Sequence, residues 1–262
     1  MTKKSPIIKS SGARSNFTME KVIFFGNGPL AEHALAVLEA KCQVIFHARK
    51  KDDLEKVAQL KHENPEAHGV LASFGVFVPQ KVLELFEPEG ILNIHPSLLP
   101  AYRGASPIES AILAGDTDFS VSVMKITKEM DAGPIYWQTT QKNLPLCKND
   151  IYKALAETGA KWIVSNLKKL PKPVLQNEDK ATYCGKLDKS MSFLAPETDT
   201  AEETMRKIVA FQGYPKPKFT FYGLPCIVLE AHVLKQGETA LLSIPCADGG
   251  LVVVDKLQPE GR

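Results

Sequence analysis

Three side chains carry the chemistry that this sequence can support. Asn93 and His95 stand two positions apart in Asn93-Ile94-His95-Pro96. Side chains alternate along a strand, so both face one side, about 7 Å apart at the Cα atoms. An amide donor and an imidazolium can hold the oxygen of a carbonyl as it becomes a tetrahedral oxyanion, and the imidazole can also move a proton. One such donor contributes roughly 3 kcal/mol of transition-state stabilisation. Asp131, in Glu129-Met130-Asp131-Ala132-Gly133-Pro134, adds a carboxylate in a turn between two strands, where it can orient His95. Plainer accounts exist for each residue. His95 also reads as a helix-capping or satisfied core histidine. Asp131 also reads as a turn aspartate bonded to its own backbone.

Other segments are less specific. Residues 101–107 read as a rigid loop leading into a helix, with Ser106 at the N-cap and Pro107 in the first turn. Arg103 in that loop either meets an anionic ligand or lies along the surface. Gly26 and Gly28 follow the first strand, but Ala31 stands where a dinucleotide fingerprint has its third glycine. No acid ends the second strand, where His47-Ala48-Arg49 stands. A tight turn near some ligand fits better. The remaining histidines lack metal-ligand spacing, and no phosphate-binding loop or Gly-x-Ser-x-Gly elbow is present.

The elements that must position these groups follow from periodicity. Short apolar runs at 21–25, 42–46, 70–74 and 91–94 alternate with helical patterns at 30–41, 51–62 and 79–87. That alternation predicts an α/β fold with parallel strands, which binds ligands at the carboxyl ends of its strands. Residues 121–126 and 134–138 then read as an antiparallel pair, and 149–170 as a long amphipathic helix. A Lys- and Pro-rich stretch, polar as far as Thr182, reads as a linker. After a helix at about 200–211, runs at 218–222, 227–233, 239–244 and 250–256 predict a small barrel or sandwich.

Composition narrows the class. The 262 residues are 44% hydrophobic and 24% charged, as in a globular chain, and no apolar run is long enough to span a membrane. The formal net charge of +2 comes from Lys3, Lys4, Lys9 and Arg14 in the acid-free residues 1–18. The 32 basic residues less these four leave 28 against 30 acidic ones. Any nucleic-acid contact is therefore local rather than a field of the whole molecule. Residues 1–18 read as a disordered basic extension. Five scattered cysteines without a Cys-x-x-Cys pair point to a reducing, cytoplasmic setting.

Taken together, Asn93, His95, Ser97 to Pro100, Arg103-Gly104 and Asp131-Ala132-Gly133 resemble the formyltransferases that use 10-formyltetrahydrofolate. The resemblance covers about residues 20–170. It implies a Rossmann-like, mostly parallel sheet with Asn93, His95 and Asp131 as catalytic residues. It also implies that Ser97, Leu98, Leu99 and Pro100 bind the folate through their backbone, and that no metal is needed. Ala181-Thr182-Tyr183-Cys184-Gly185-Lys186-Leu187, residues 210–215 and residues 257–261 are similar to the second domain of members that formylate initiator methionyl-tRNA. That implies a small C-terminal β-barrel, OB-like, contacting tRNA, in a monomer with a catalytic domain over 19–175 and a linker and barrel over 176–262. Two departures stand out. The long basic loop that such members carry after strand two is missing, and Pro96 replaces the usual glycine after the histidine. Gly26-Asn27-Gly28 and His95-Pro96 look more like the glycinamide ribonucleotide branch. A small amine, such as a nucleotide-linked amino sugar, therefore stands as the alternative acceptor.

Overall fold

A computed structural model describes residues 19–260, so the expected basic extension over 1–18 lies outside the described residues. The first strand, β1 (Lys21–Gly26), is apolar on both faces. Val22 and Phe24 enter one core, and Ile23 and Phe25 the other; all four are fully buried. Each such side chain contributes about 1.5–3 kcal/mol, which requires cover on both sides. The α-helix α1 (Gly28–Lys41) leads to β2 (Gln43–Ala48), and α2 (Asp53–Glu63) to β3 (His68–Ala72). Both strands pair with β1 in parallel. The helix expected over 79–87 is a short α3 (Gln80–Leu83) followed by a tighter turn through Phe86. Then comes β4 (Ile91–His95), parallel to β3.

Beyond β4 lie β5 (Arg103–Gly104) and α4 (Pro107–Ala114). Ser106 occupies the expected cap position but makes no side-chain capping bond. The strand β6 (Phe119–Lys125) pairs antiparallel with β4, and β7 (Ile135–Gln141) antiparallel with β6. The sheet order is β2-β1-β3-β4-β6-β7. Its Rossmann-like, mostly parallel character is as expected. Helix α5 (Lys148–Asn166) packs with α1 on one face, and α2 and α3 cover the other. A Cβ at Gly159 of α5 would lie 2.8 Å from Ile94 Cγ2, so the missing side chain lets the helix close onto β4. The helix stops earlier than the sequence pattern suggests. The Asn166 side chain donates back to the Trp162 carbonyl at its last turn, and Pro171 follows.

Residues 174–184 do not hang free as a linker. Val174 and Ile135 exchange two backbone hydrogen bonds of 2.8 Å, and β8 (Tyr183–Cys184) pairs with β5. Helix α6 (Ala201–Phe211) opens with a capping box between Thr200 and Glu203. It packs on an antiparallel sheet of β9 (Lys218–Phe221), β10 (Leu224–Val233), β11 (Ser243–Pro245) and β12 (Leu251–Pro259), ordered β11-β12-β10-β9. Among the described residues no pairing closes β9 onto β11, so this unit is an open four-stranded sheet against a helix. The strand expected over 239–244 is reduced to three residues. Glu238 closes a turn onto the Lys235 carbonyl, and Leu241 is fully exposed, so the preceding stretch has no sheet face to bury. No helix among the described residues is long and apolar enough to cross a membrane.

Candidate active site

The period of β4 decides where its side chains go. Leu92 and Ile94 pack under α1 and α5, while Ile91 joins the opposite core. Asn93 and His95 share the side of Ile91, at the carboxyl end of the parallel part of the sheet. There they line a cavity of about 440 Å³. Residues 73–78, following β3, form one wall, and residues 126–131, following β6, form another. Asp131 arrives on the second wall, so the structure brings all three expected catalytic residues together.

Their hydrogen bonds define what each can do. Asn93 is 5% exposed, yet its side-chain amide has no protein partner among the described residues. The amide opens onto the cavity, where a ligand can accept its N–H. His95 Nε2 lies 3.0 Å from the Tyr102 carbonyl, an acceptor that assigns the Nε2 proton. Nδ1 then points at Asp131 Oδ1, 3.7 Å away. The other carboxylate oxygen, Oδ2, accepts the Gly104 backbone N–H at 2.9 Å. His95 Nδ1 can therefore accept a proton and donate it again, with the Asp131 carboxylate beside it.

The Asp131 turn is tight. Asp131 has φ 51, in the left-handed region, and a Cβ at Gly133 would fall 1.9 Å from the Lys125 carbonyl oxygen. Below the cavity, buried Glu109 accepts the Tyr152 hydroxyl at 2.7 Å and faces the Lys148 ammonium at 3.5 Å. Burial, followed by Glu109, pushes the Tyr152 phenol upward, while burial pulls the Lys148 ammonium down. Among the described residues, no cluster of three or more His, Cys, Asp or Glu side chains could hold a metal ion.

Several sequence expectations land elsewhere. Ser97, Leu98, Leu99 and Pro100 do not line the cavity. Ser97 Oγ donates to the Ala101 carbonyl, Ser122 Oγ accepts the Leu99 N–H and donates to the Ser97 carbonyl, and Gln138 donates to the Leu99 carbonyl. These bonds shape the loop that carries Tyr102. Arg103 neither meets a ligand nor lies on the surface. It is 1% exposed, with Glu178 on Nη1 and Nη2 at 2.7 Å each and Gln176 Oε1 on Nε and Nη2. The turn at Gly26 and Gly28 is outside the cavity wall, held by Asn27 N–H on the Ser73 carbonyl. Gln176 and Tyr152 were not singled out by the sequence reading; no local spacing marks either.

An unpartnered amide, an imidazole and a carboxylate at the rim of a doubly covered sheet form an arrangement that can hold an oxyanion and move a proton, the two tasks that acyl-group transfer requires. The formyl transferase family matches residues 22–167, and the chain belongs to that family. It is 32% identical over 240 residues to the methionyl-tRNA formyltransferase of Neisseria gonorrhoeae, covering 86% of this chain and 77% of that one. The methionyl-tRNA formyltransferase structure from Clostridium thermocellum superposes with a TM-score of 0.65 at 18% identity, covering 92% of this chain and 98% of that one. HypX from Aquifex aeolicus, solved in complex with tetrahydrofolic acid, gives a TM-score of 0.71 at 19% identity, over 93% of this chain and 46% of that one. The two solved structures bear on the fold.

Proposed function

We propose that the protein transfers the formyl group of 10-formyltetrahydrofolate to the α-amino group of initiator methionyl-tRNA. The observation that carries this reading is the unpartnered Asn93 amide beside the His95–Asp131 pair in one cavity. Relatives that cover most of the chain are methionyl-tRNA formyltransferases, which favours that acceptor over a small amine.

In this reading the folate supplies a formyl group on its N10 nitrogen. It lodges in the cavity between residues 73–78 and 126–131, with the backbone of residues 97–100 following Pro96 at its edge. Phe77 and Met130, 66% and 70% exposed at the cavity, offer apolar contact to an aromatic ligand. Asn93 donates its amide N–H to the formyl oxygen as negative charge builds there. His95, protonated at Nδ1, adds a second donor. The neutral α-amine attacks the formyl carbon. Asp131 orients the ring and helps take the proton the nitrogen carries after attack, and the C–N10 bond breaks as tetrahydrofolate leaves with a proton on N10. An α-amino group with a pKa of about 7.7–8.0 is largely neutral at mildly alkaline pH. Residues 19–175 carry the transfer. Residues 176–262, read as a shortened OB-like unit, serve the tRNA through phosphate contacts, whose strength falls as salt rises.

The test is a formylation assay with 10-formyltetrahydrofolate and charged initiator tRNA, run in parallel with glycinamide ribonucleotide and a nucleotide-linked amino sugar. Formyl-methionyl-tRNA as the dominant product supports the reading. Preferential formylation of a small amine, or release of formate alone, contradicts it.

A further inference from the structure

The Asp131 turn has little to hold it from within. Lys125 N–H on the Pro134 carbonyl at 2.9 Å closes its base and Thr127 Oγ1 donates to the Glu129 carbonyl at 3.2 Å, but around Asp131, at φ 51, its own backbone supplies one long contact, Ala132 N–H to the Glu129 carbonyl at 3.5 Å. The holding groups come from elsewhere. Gln176 Nε2 donates to the Asp131 carbonyl at 2.8 Å and to the Gly133 carbonyl at 2.7 Å, one hydrogen to each side of Ala132. Gln176 Oε1 accepts from Arg103 Nε at 3.1 Å and Nη2 at 2.7 Å. The amide thus has both donors and its oxygen engaged, and turning it over would set oxygen against two carbonyls. Arg103 is itself fixed by Glu178, and its neighbour Gly104 binds the Asp131 carboxylate.

We propose that Gln176 is a positioning residue for formyl transfer, holding the Asp131 turn so that the chain leaving the catalytic sheet completes the reacting site. The inference rests on the role given to Asp131 above. The docking of this strap does not require Gln176. Val174 is fastened to Ile135 before it, and Thr182 after it bonds the Pro100 carbonyl at 3.1 Å and accepts the Arg103 N–H at 2.9 Å. The two donors of Gln176 go only to the turn that carries the carboxylate.

The experiment compares Gln176→Glu, Gln176→Met and Asp131→Asn in the full chain, assayed with 10-formyltetrahydrofolate and methionyl-tRNA. Gln176→Glu keeps an oxygen for Arg103 and sets another against the two carbonyls. A displacement of about 1 Å at a reacting group costs on the order of 10²-fold in rate. Gln176→Glu is therefore expected to lower kcat by about 10- to 100-fold, with KM for the formyl donor within about twofold and Tm nearly unchanged. Its activity relative to the wild type is expected to rise as pH is lowered into the carboxylate range, where the protonated Glu regains a donor. Gln176→Met should also lower kcat. Both Gln176 variants within twofold of wild-type kcat, beside an Asp131→Asn that is inactive, would overturn the proposal while leaving the site reading standing. A loss confined to KM would overturn it too. Full activity in Asp131→Asn would bring down the site reading itself, and this inference with it.

Discussion

His95 Nδ1 and Asp131 Oδ1 lie 3.7 Å apart, and one short loop fixes the far side of both residues. Tyr102 takes His95 Nε2 on its carbonyl at 3.0 Å, and Gly104 gives its N–H to Asp131 Oδ2 at 2.9 Å. The facing nitrogen and oxygen are thereby aimed at each other across the cavity. At 3.7 Å the two atoms are in contact but not in a direct hydrogen bond, and a reacting group reaches them from the cavity side.

Asn93 faces the cavity and supports no neighbour, so removing it should cost rate and not folding. Asn93→Ala is expected to lower kcat by about 10²–10³-fold with an unchanged thermal midpoint. Formylation kinetics beside a melting curve check this. Wild-type turnover in the purified variant would remove the oxyanion role.

Asp131→Asn keeps the shape of the turn and its contact with Gly104 but removes the carboxylate that faces His95 Nδ1 and helps take a proton. A fall in kcat of about 10²–10⁴-fold is expected, together with an altered pH–rate profile. An unchanged profile would argue that the carboxylate only braces the Gly104 backbone.

The structure explains why the core of this site was readable from sequence. Asn93 and His95 lie on one strand, and the period of two alone puts them on one face. The change from parallel to antiparallel pairing at β6 is visible in the alternating residues 121–126. What could not be read is the long-range closure. Residues 97–100 follow the site in sequence, but nothing local shows that Ser122 and Gln138 from distant strands hold their backbone. Arg103 was assigned to a ligand or to solvent because Glu178, its ion-pair partner, lies 75 positions away in a stretch that reads as a plain linker. The strand expected over 239–244 is shortened by the turn closed at Glu238, a contact that no local pattern marks.

Gly133→Ala tests the turn from a different side. The added methyl would meet the Lys125 carbonyl at 1.9 Å, a contact that must push the chain apart. A loss of about 1–3 kcal/mol in stability is expected, with a drop in kcat because Asp131 moves with the turn. Urea unfolding and steady-state rates measure both. Equal stability and rate would mean that the turn yields without cost.

His232 gives a pH dependence in the C-terminal sheet. It lies 2.8 Å from Asp255 and 2.8 Å from Glu238, and these carboxylates, Asp255 first, raise its pKa above 6.5. A histidine raised on folding stabilises fully below its unfolded pKa, and that gain is lost as pH rises through the folded value. The ring is partly exposed, so solvent screening keeps the effect small. The Tm difference between wild type and His232→Gln should be larger at about pH 6 than at about pH 8.5. A difference that does not vary with pH would mean that the two carboxylates leave the ring's titration unchanged.

The most direct measurement follows formyl-methionyl-tRNA from 10-formyltetrahydrofolate and charged initiator tRNA, catalysed by the wild type and by His95→Ala. The account predicts many turnovers for the wild type and a rate at least about 10³-fold lower for the folded variant. His95→Ala working at the wild-type rate would contradict it.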